Sequence, residues 1–215
     1  MRRMLDHEFI PAVEKNTREL WVMLHGLGDS LEGYRWLPEA MSLPWMNYLL
    51  VNAPDEYYGG YSWYDFTVGN LAPGVARSRK LLFELLDAQR ARGFPTKQTT
   101  LGGFSQGCLM SLEVGLRYPH RFAGIVGISG YVCEPGTLLR EMSPVAKQQR
   151  FLVTHGIADP LLPLEQTRAQ IRQLQAAGVK IEFREFNKAH TIAGEEELRC
   201  IREFVRAGHA SVVGR

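Results

Sequence analysis

The sequence predicts an α/β fold: a mostly parallel central sheet with helices on both faces. Three observations predict it. Short apolar runs alternate with amphipathic stretches along nearly the whole chain. Several of the apolar runs, such as ELWVML at 19–24 and FAGIVGI at 122–128, are almost continuous, as a strand covered on both faces requires. The 215 residues show no repeat, linker or low-complexity segment, so residues 1–215 read as one domain.

The elements follow in order. Residues 19–24 form a buried strand that ends at His25-Gly26. Residues 31–43 carry helical spacing and stop before Pro44, and 46–51 are a second strand. A long aromatic loop covers 52–69. The longest helix spans 71–92, with Asn70 as cap, Pro73 in the first turn and Val75, Leu82, Leu85 and Leu86 on one stripe; Gly93 and Pro95 end it. Strand 99–104 leads into helix 106–118, followed by strand 122–128. Residues 130–147 read as irregular because of Pro135, Gly136 and Pro144. Strand 151–154, helix 164–177, strand 179–186 and helix 194–207 complete the pattern, with a loose tail at 208–215.

Composition removes several function classes. Lys and Arg number 25 against 23 Asp and Glu, so no basic stripe for nucleic acid is expected. No run of about 18 apolar residues exists, so no transmembrane segment is expected. The basic start Met1-Arg2-Arg3-Met4 meets Asp6, His7 and Glu8 at once, unlike a signal peptide. Cys108, Cys133 and Cys200 are odd in number and form no Cys-x-x-Cys, which suits reduced thiols and a cytoplasmic location. Each is expected to act as a small buried apolar residue, Cys200 above all. None of the six histidines stands in a His-Glu-x-x-His, so no metal site is expected.

In parallel sheets of this kind, ligands bind at the carboxyl ends of the strands. Ser105 falls there, inside Gly103-Phe104-Ser105-Gln106-Gly107. The two glycines allow a sharp strand-to-helix elbow that exposes a nucleophilic hydroxyl; a small residue in a tight turn is the bland alternative. A serine must lose its proton as it attacks, so a base is needed. His190, in NKAHTIAGEE after the last strand, is the candidate, with His155 as rival. Asp159, in THGIADPLLP, is the acid that would orient the imidazole, with Glu165 as runner-up. The order Ser105, Asp159, His190 fits a strand-borne hydrolase triad. The backbone N–H groups of Gln106 and of Leu27, in LHGLGDS, are the candidate oxyanion donors.

The blocks LHGLGDS at 24–30, GGFSQG at 102–107, HGIADPLLP at 155–163 and KAHTI at 188–192, with GYSWYD at 60–65, resemble the phospholipase/carboxylesterase family, which includes the acyl-protein thioesterases. The likeness runs in order from Glu19 to Val205. It implies an α/β-hydrolase fold with no large cap domain. It also implies a metal-free, cofactor-free serine esterase or thioesterase with Ser105, Asp159 and His190 as triad. The chain departs from the family pattern at Cys108, where a second glycine is usual, and in a shorter aromatic segment.

The expected activity is cleavage of carboxylic esters or thioesters of small or lipid-like acyl groups through an acyl-enzyme. A lysophospholipase or peptidase-like hydrolase on the same triad is the alternative within the class. A non-catalytic binder of apolar ligands is the alternative outside it. Tyr57, Tyr58, Tyr61, Trp63 and Tyr64 around Gly59-Gly60 suit an acyl-chain wall, or a loop packed on itself. Tyr131 and Leu138, with Leu139, would face it. Trp63, Tyr61, Tyr131 and Leu138 are therefore the substrate-contact candidates. Asp29 and Asp65 read as loop stabilisers, and Glu195-Glu196-Glu197 as a solvated helix start that also stands near His190. An exposed aromatic edge would suit a membrane surface, a lipid substrate or a second copy in a homodimer.

Overall fold

A computed structural model describes residues 4–210. Strands β1 (His7–Ile10), β2 (Glu19–Leu24), β3 (Met46–Val51), β6 (Thr99–Phe104), β7 (Gly124–Ile128), β8 (Phe151–Gly156) and β9 (Ile181–Phe186) form one sheet, ordered β1-β3-β2-β6-β7-β8-β9. All neighbours are parallel except β1, which pairs antiparallel with β3 at the edge. Strand order reverses between β2 and β6, where Leu24 lies opposite Gly103. That junction is where an open parallel sheet leaves a crevice beyond its strand ends.

Alternation along each strand feeds two cores. Leu20, Val22 and Leu24 of β2 and Leu49 and Val51 of β3 face α2 (Ala72–Ala91), α3 (Gln106–Arg117), α4 (Pro135–Arg140) and α5 (Leu164–Ala176). Trp21, Met23, Tyr48 and Leu50 face α1 (Leu37–Met41) and α6 (Gly194–Gly208), where Ile201, Phe204 and Val205 pack. The period-2 pattern thus puts helices on both faces. Residues 106–116 of α3 are buried throughout, which seats this helix deep beneath its neighbours. Among the described residues, no large cap covers the carboxyl edge of the sheet.

Several expected elements change. Residues 31–43 are not one helix but a 3-10 turn, Leu31–Tyr34, followed by α1. Gly33 packs on the Asp29 carboxylate, where a Cβ would come within 2.3 Å of Oδ1, and Pro38 starts the second segment afresh. The aromatic loop contains a hairpin, β4 (Asp55–Tyr57) with β5 (Gly60–Ser62). Its two-residue turn, Tyr58-Gly59, has positive φ at both positions (44° and 88°), as tight hairpins favour. Residues 130–147 are not irregular throughout: they hold α4, begun by Pro135, and the 3-10 turn Ala146–Gln148 is reached at their end. Strand β1 has no sequence signal beyond four mixed residues. Gly208 lies in α6 rather than in a tail, and residues 211–215 lie outside the described residues. Asn70 does serve the start of α2, its Oδ1 accepting from the Ala72 N–H at 3.0 Å. No helix among the described residues is long and apolar enough to cross a membrane.

Candidate active site

Ser105 stands between β6 and α3 with φ 55° and ψ −115°, a backbone conformation strained for a residue with a side chain. Two contacts force the elbow. A Cβ on Gly103 would lie 2.2 Å from the Gly107 carbonyl oxygen, and one on Gly107 would lie 2.2 Å from that of Leu24. Only glycine at both positions lets helix and strand approach this closely. The Ser105 N–H donates to the Ile128 carbonyl at 2.9 Å and fixes the turn against β7.

His190 reaches Ser105 from the loop after β9. Its Nε2 lies 2.9 Å from Ser105 Oγ and its Nδ1 2.7 Å from Asp159 Oδ2. An ionised carboxylate only accepts, so Nδ1 carries the proton and Nε2 is left to accept from the serine hydroxyl. Asp159 Oδ1 accepts from the Leu161 and Leu162 N–H groups, both at 2.9 Å. Burial pushes the Asp159 carboxyl up, but the Leu162 amide, His190 and the Leu161 amide together hold it below its ordinary value. It is therefore an anion in the folded protein.

The rival residues do other work. His155 is buried, its pKa lowered by desolvation, and its Nε2 donates to the Leu162 carbonyl at 2.9 Å. It braces the turn that carries Asp159. Glu165 is exposed and pairs with Arg168.

The 25–30 turn is held from three sides. Buried His25 accepts from the Ala53 N–H at Nε2 (3.0 Å), so Nδ1 donates to the Gly26 carbonyl at 2.6 Å. Burial lowers its pKa and keeps it neutral. Gly28 N donates to the Tyr61 carbonyl and Tyr61 N to the Asp29 carbonyl, both at 2.9 Å, so β5 straps the turn. The Trp63 indole N–H donates to the His25 carbonyl at 2.9 Å. Among the described residues, nothing accepts from the Leu27 or Gln106 N–H. The Gln106 side chain clamps the same strap: Oε1 accepts from Trp63 N at 2.9 Å and Nε2 donates to the Tyr64 carbonyl at 3.0 Å.

The expected acyl wall needs correction. Trp63 and Leu138 are 0% exposed and belong to the core, so neither presents surface to a ligand. Trp63 holds the 25–30 turn from behind. Tyr61 acts through its backbone, with its side chain half-buried, and half-buried Tyr131 meets the Tyr64 hydroxyl at 3.0 Å. Phe66 and Val68, on the loop after β5, and Ile157 and Leu161, on the loop after β8, are among the exposed apolar side chains. Asp65 caps its own turn, accepting from Thr67 N at 2.9 Å, and Asp29 does the same for Ser30 N at 2.8 Å.

Two further features lie beside the His190 loop and the elbow, and the burial of Cys108 is as expected. Lys188 and Glu197 form a buried ion pair beneath the His190 loop. Glu197 is thus not part of a solvated face, unlike the expectation for the 195–197 run. Cys108 is fully buried and fits because Gly127 and Gly130 leave room for it; a Cβ on Gly130 would lie 2.4 Å from Cys108 Cβ. Cys200, expected to be buried, is half-buried on α6, and all three thiols are free.

Comparison with known proteins identifies the family. The sequence pattern of the phospholipase/carboxylesterase family matches residues 5–209. Acyl-protein thioesterase 1 of Schizosaccharomyces pombe is 35% identical over 166 residues, covering 71% of this chain and 74% of that protein. A probable carboxylesterase of Oryza sativa subsp. japonica is 29% identical over 91% of this chain and 79% of its own. The crystal structure of esterase PE8 matches with a TM-score of 0.85 and 28% identity, over 95% of this chain and 99% of that one. With its family's sequence pattern matched over residues 5–209, the chain belongs to the phospholipase/carboxylesterase family.

Proposed function

We propose that the protein is a serine esterase or thioesterase of acyl substrates, with Ser105 as nucleophile, His190 as general base and acid, and Asp159 as the group that orients His190. The observation that carries this reading is the unbroken chain from Ser105 Oγ through His190 to buried Asp159, mounted on a strained elbow.

In the first half-reaction His190 Nε2 takes the Ser105 proton as Oγ attacks the acyl carbon. The Leu27 and Gln106 amides receive the oxyanion. They are fixed backbone dipoles, and one such donor is typically worth about 10²–10³-fold in turnover. The bond from carbon to the departing oxygen or sulfur then breaks, and the proton passes from Nε2 to that atom. Water enters, gives a proton to His190 and attacks the acyl-serine. The acid leaves, and the proton returns to Ser105. No step requires a metal or cofactor, so chelators are expected to leave activity intact.

The names of the relatives support esters and thioesters as the substrate class. Exposed Phe66, Val68, Ile157 and Leu161 support an apolar acyl group. A reduced cytoplasmic setting suits the three free thiols.

A fluorophosphonate probe tests the assignment. It should label Ser105 and block hydrolysis of a p-nitrophenyl ester, and Ser105→Ala should abolish both. Full esterase activity in Ser105→Ala, or labelling at another residue, rejects the reading.

A further inference from the structure

Beside His190 the surface opens into a groove of about 310 Å³ lined by Asp29, Tyr34, Trp36, Phe104, His190 and Ile192 among others. Its position says which half of a substrate it meets. His190 returns its proton to the departing atom, so a group bound against His190 is the leaving group rather than the acyl chain. Its size agrees, since ligand pockets span roughly 300–1,000 Å³ and this one stands at the small end.

The lining chemistry is aromatic and anionic. Tyr34 and Trp36 stack with ring centroids 6.3 Å apart, and Phe104 packs on His190 at 5.0 Å. Trp36 is 39% exposed, and its indole N–H is committed to the Gly33 carbonyl at 2.7 Å. What it offers a ligand is therefore its ring rather than a donor. Asp29 is the one carboxylate in the lining, and neither Lys nor Arg lines the groove. Its Oδ1 serves the Ser30 amide, while among the described residues no partner takes Oδ2. An aromatic ring beside a carboxylate attracts a cation through the ring quadrupole and the charge together.

We propose that this groove selects leaving alcohols or thiols that carry a cationic nitrogen close to the scissile bond. The inference rests on the esterase reading and names the leaving-group class for the same site. A phosphate or carboxylate placed there would face Asp29 and be disfavoured.

Three thioesters of one short acyl group test it: the thiocholine ester, its neutral 3,3-dimethylbutyl isostere, and the 3-mercaptopropionate ester. In the unaltered protein, kcat/KM should favour the cationic ester over its isostere about tenfold, with the anionic ester slowest, in line with the strength of partly desolvated cation–π contacts. Asp29→Asn keeps an acceptor for the Ser30 amide and should cut the cationic-to-neutral ratio to about threefold or less. Trp36→Leu should lower it too. Because the readout is a ratio, a general loss of activity in either variant cancels. A ratio near one, or a ratio that neither substitution moves, overturns the inference and leaves the esterase reading standing. Failure to hydrolyse any of the three overturns the inference, and the esterase reading falls with it only if the p-nitrophenyl ester is not hydrolysed either.

Discussion

Lys188 Nζ lies 2.5 Å from Glu197 Oε1, and solvent reaches 2% of the one side chain and none of the other. Glu197 Oε2 also accepts from the Ala193 N–H at 2.5 Å, so one carboxylate grips both ends of the loop that presents His190. The Lys188 carbonyl accepts from Ala158 N at 3.1 Å, which ties that loop to the turn of Asp159. Burial lowers the Lys188 pKa, and the pairing with Glu197 opposes the shift. Removing one partner strands a buried charge, at a cost of about 3–5 kcal/mol. Lys188→Met and Glu197→Gln should each lower stability by that order in urea unfolding. Both should also slow fluorophosphonate labelling of Ser105. The double change Lys188→Met with Glu197→Leu should recover most of the stability. Recovery of stability without recovery of the labelling rate would show that the pair also sets the position of His190.

Ser105 adopts φ 55°, and such a conformation costs a residue with a side chain about 1–3 kcal/mol. Ser105→Gly removes that strain together with the hydroxyl. The variant should melt several degrees higher than the parent while losing ester hydrolysis. A lower Tm would mean that the elbow is not a strained site.

The Gln106 side chain tests the strap separately from the amide beside it. Gln106→Leu keeps the backbone N–H but strips the Trp63 amide of its partner and leaves the Tyr64 carbonyl only the Ser62 hydroxyl. Leaving buried polar groups unpaired costs about 1–3 kcal/mol each. Thermal unfolding should show the loss, and kcat should fall because the 25–30 turn rests on Trp63. Unchanged Tm and kcat would show that the strap does not depend on this clamp.

His209 sits at the opposite end of the sheet, its Nε2 2.9 Å from Thr100 Oγ1 and its ring 5.2 Å from that of Trp45. Burial first, and the Arg150 charge second, lower its pKa to about 4. The unfolded chain takes up a proton near pH 6.5, while the folded protein does not until about 4. The stabilising effect of the neutral ring is thus complete above 6.5 and is lost as pH falls from there to 4. The full change is about 3 kcal/mol at 1.36 kcal/mol per unit. His209→Gln should flatten the decline of stability over this range, measured as urea midpoints at pH 7, 5.5 and 4.5. An equally steep decline would assign the acid sensitivity elsewhere.

How much of this was readable from the chain follows from the range of the forces involved. Strands such as β2 (ELWVML) and β7 (GIVGI) are almost continuous apolar runs, and burial on both faces leaves that mark in sequence, whereas β9 (IEFREF) at the edge alternates with exposed charge. The Ser105 elbow is legible because close backbone approach admits only glycine at 103 and 107. The partners of side chains are not local in this way. Glu197 reads as one of three solvated glutamates until the loop folds Lys188 onto it. Trp63 reads as a ligand wall because aromatic residues pack cores and pockets alike, and only the third dimension turns it towards the His25 carbonyl. Trp36 sits off any helical stripe, so nothing in the sequence joins it to Asp29 and His190.

Cys108 and Gly130 exchange bulk across the elbow, and the exchange can be run backwards. The family pattern usually has a glycine at the first position, and here a thiol fills that space, its pKa pushed up to about 12 by burial. The facing residue has no side chain: a Cβ on Gly130 would meet Cys108 Sγ at 2.5 Å and the Ser105 carbonyl oxygen at 2.9 Å. Gly130→Ala should therefore lower stability by about 1–3 kcal/mol, the usual cost of overpacking. Cys108→Gly alone opens a small void beside α3 and adds a flexible residue near the helix start, so it should also destabilise. Combining the two returns the bulk from the other side. The double variant should be more stable than the sum of the single effects predicts, with a coupling of at least about 0.5 kcal/mol in a double-mutant cycle. The close approach of Gly130 to the Ser105 carbonyl persists in the double variant, so rescue should be partial. Additive effects would show that the two positions do not share one space.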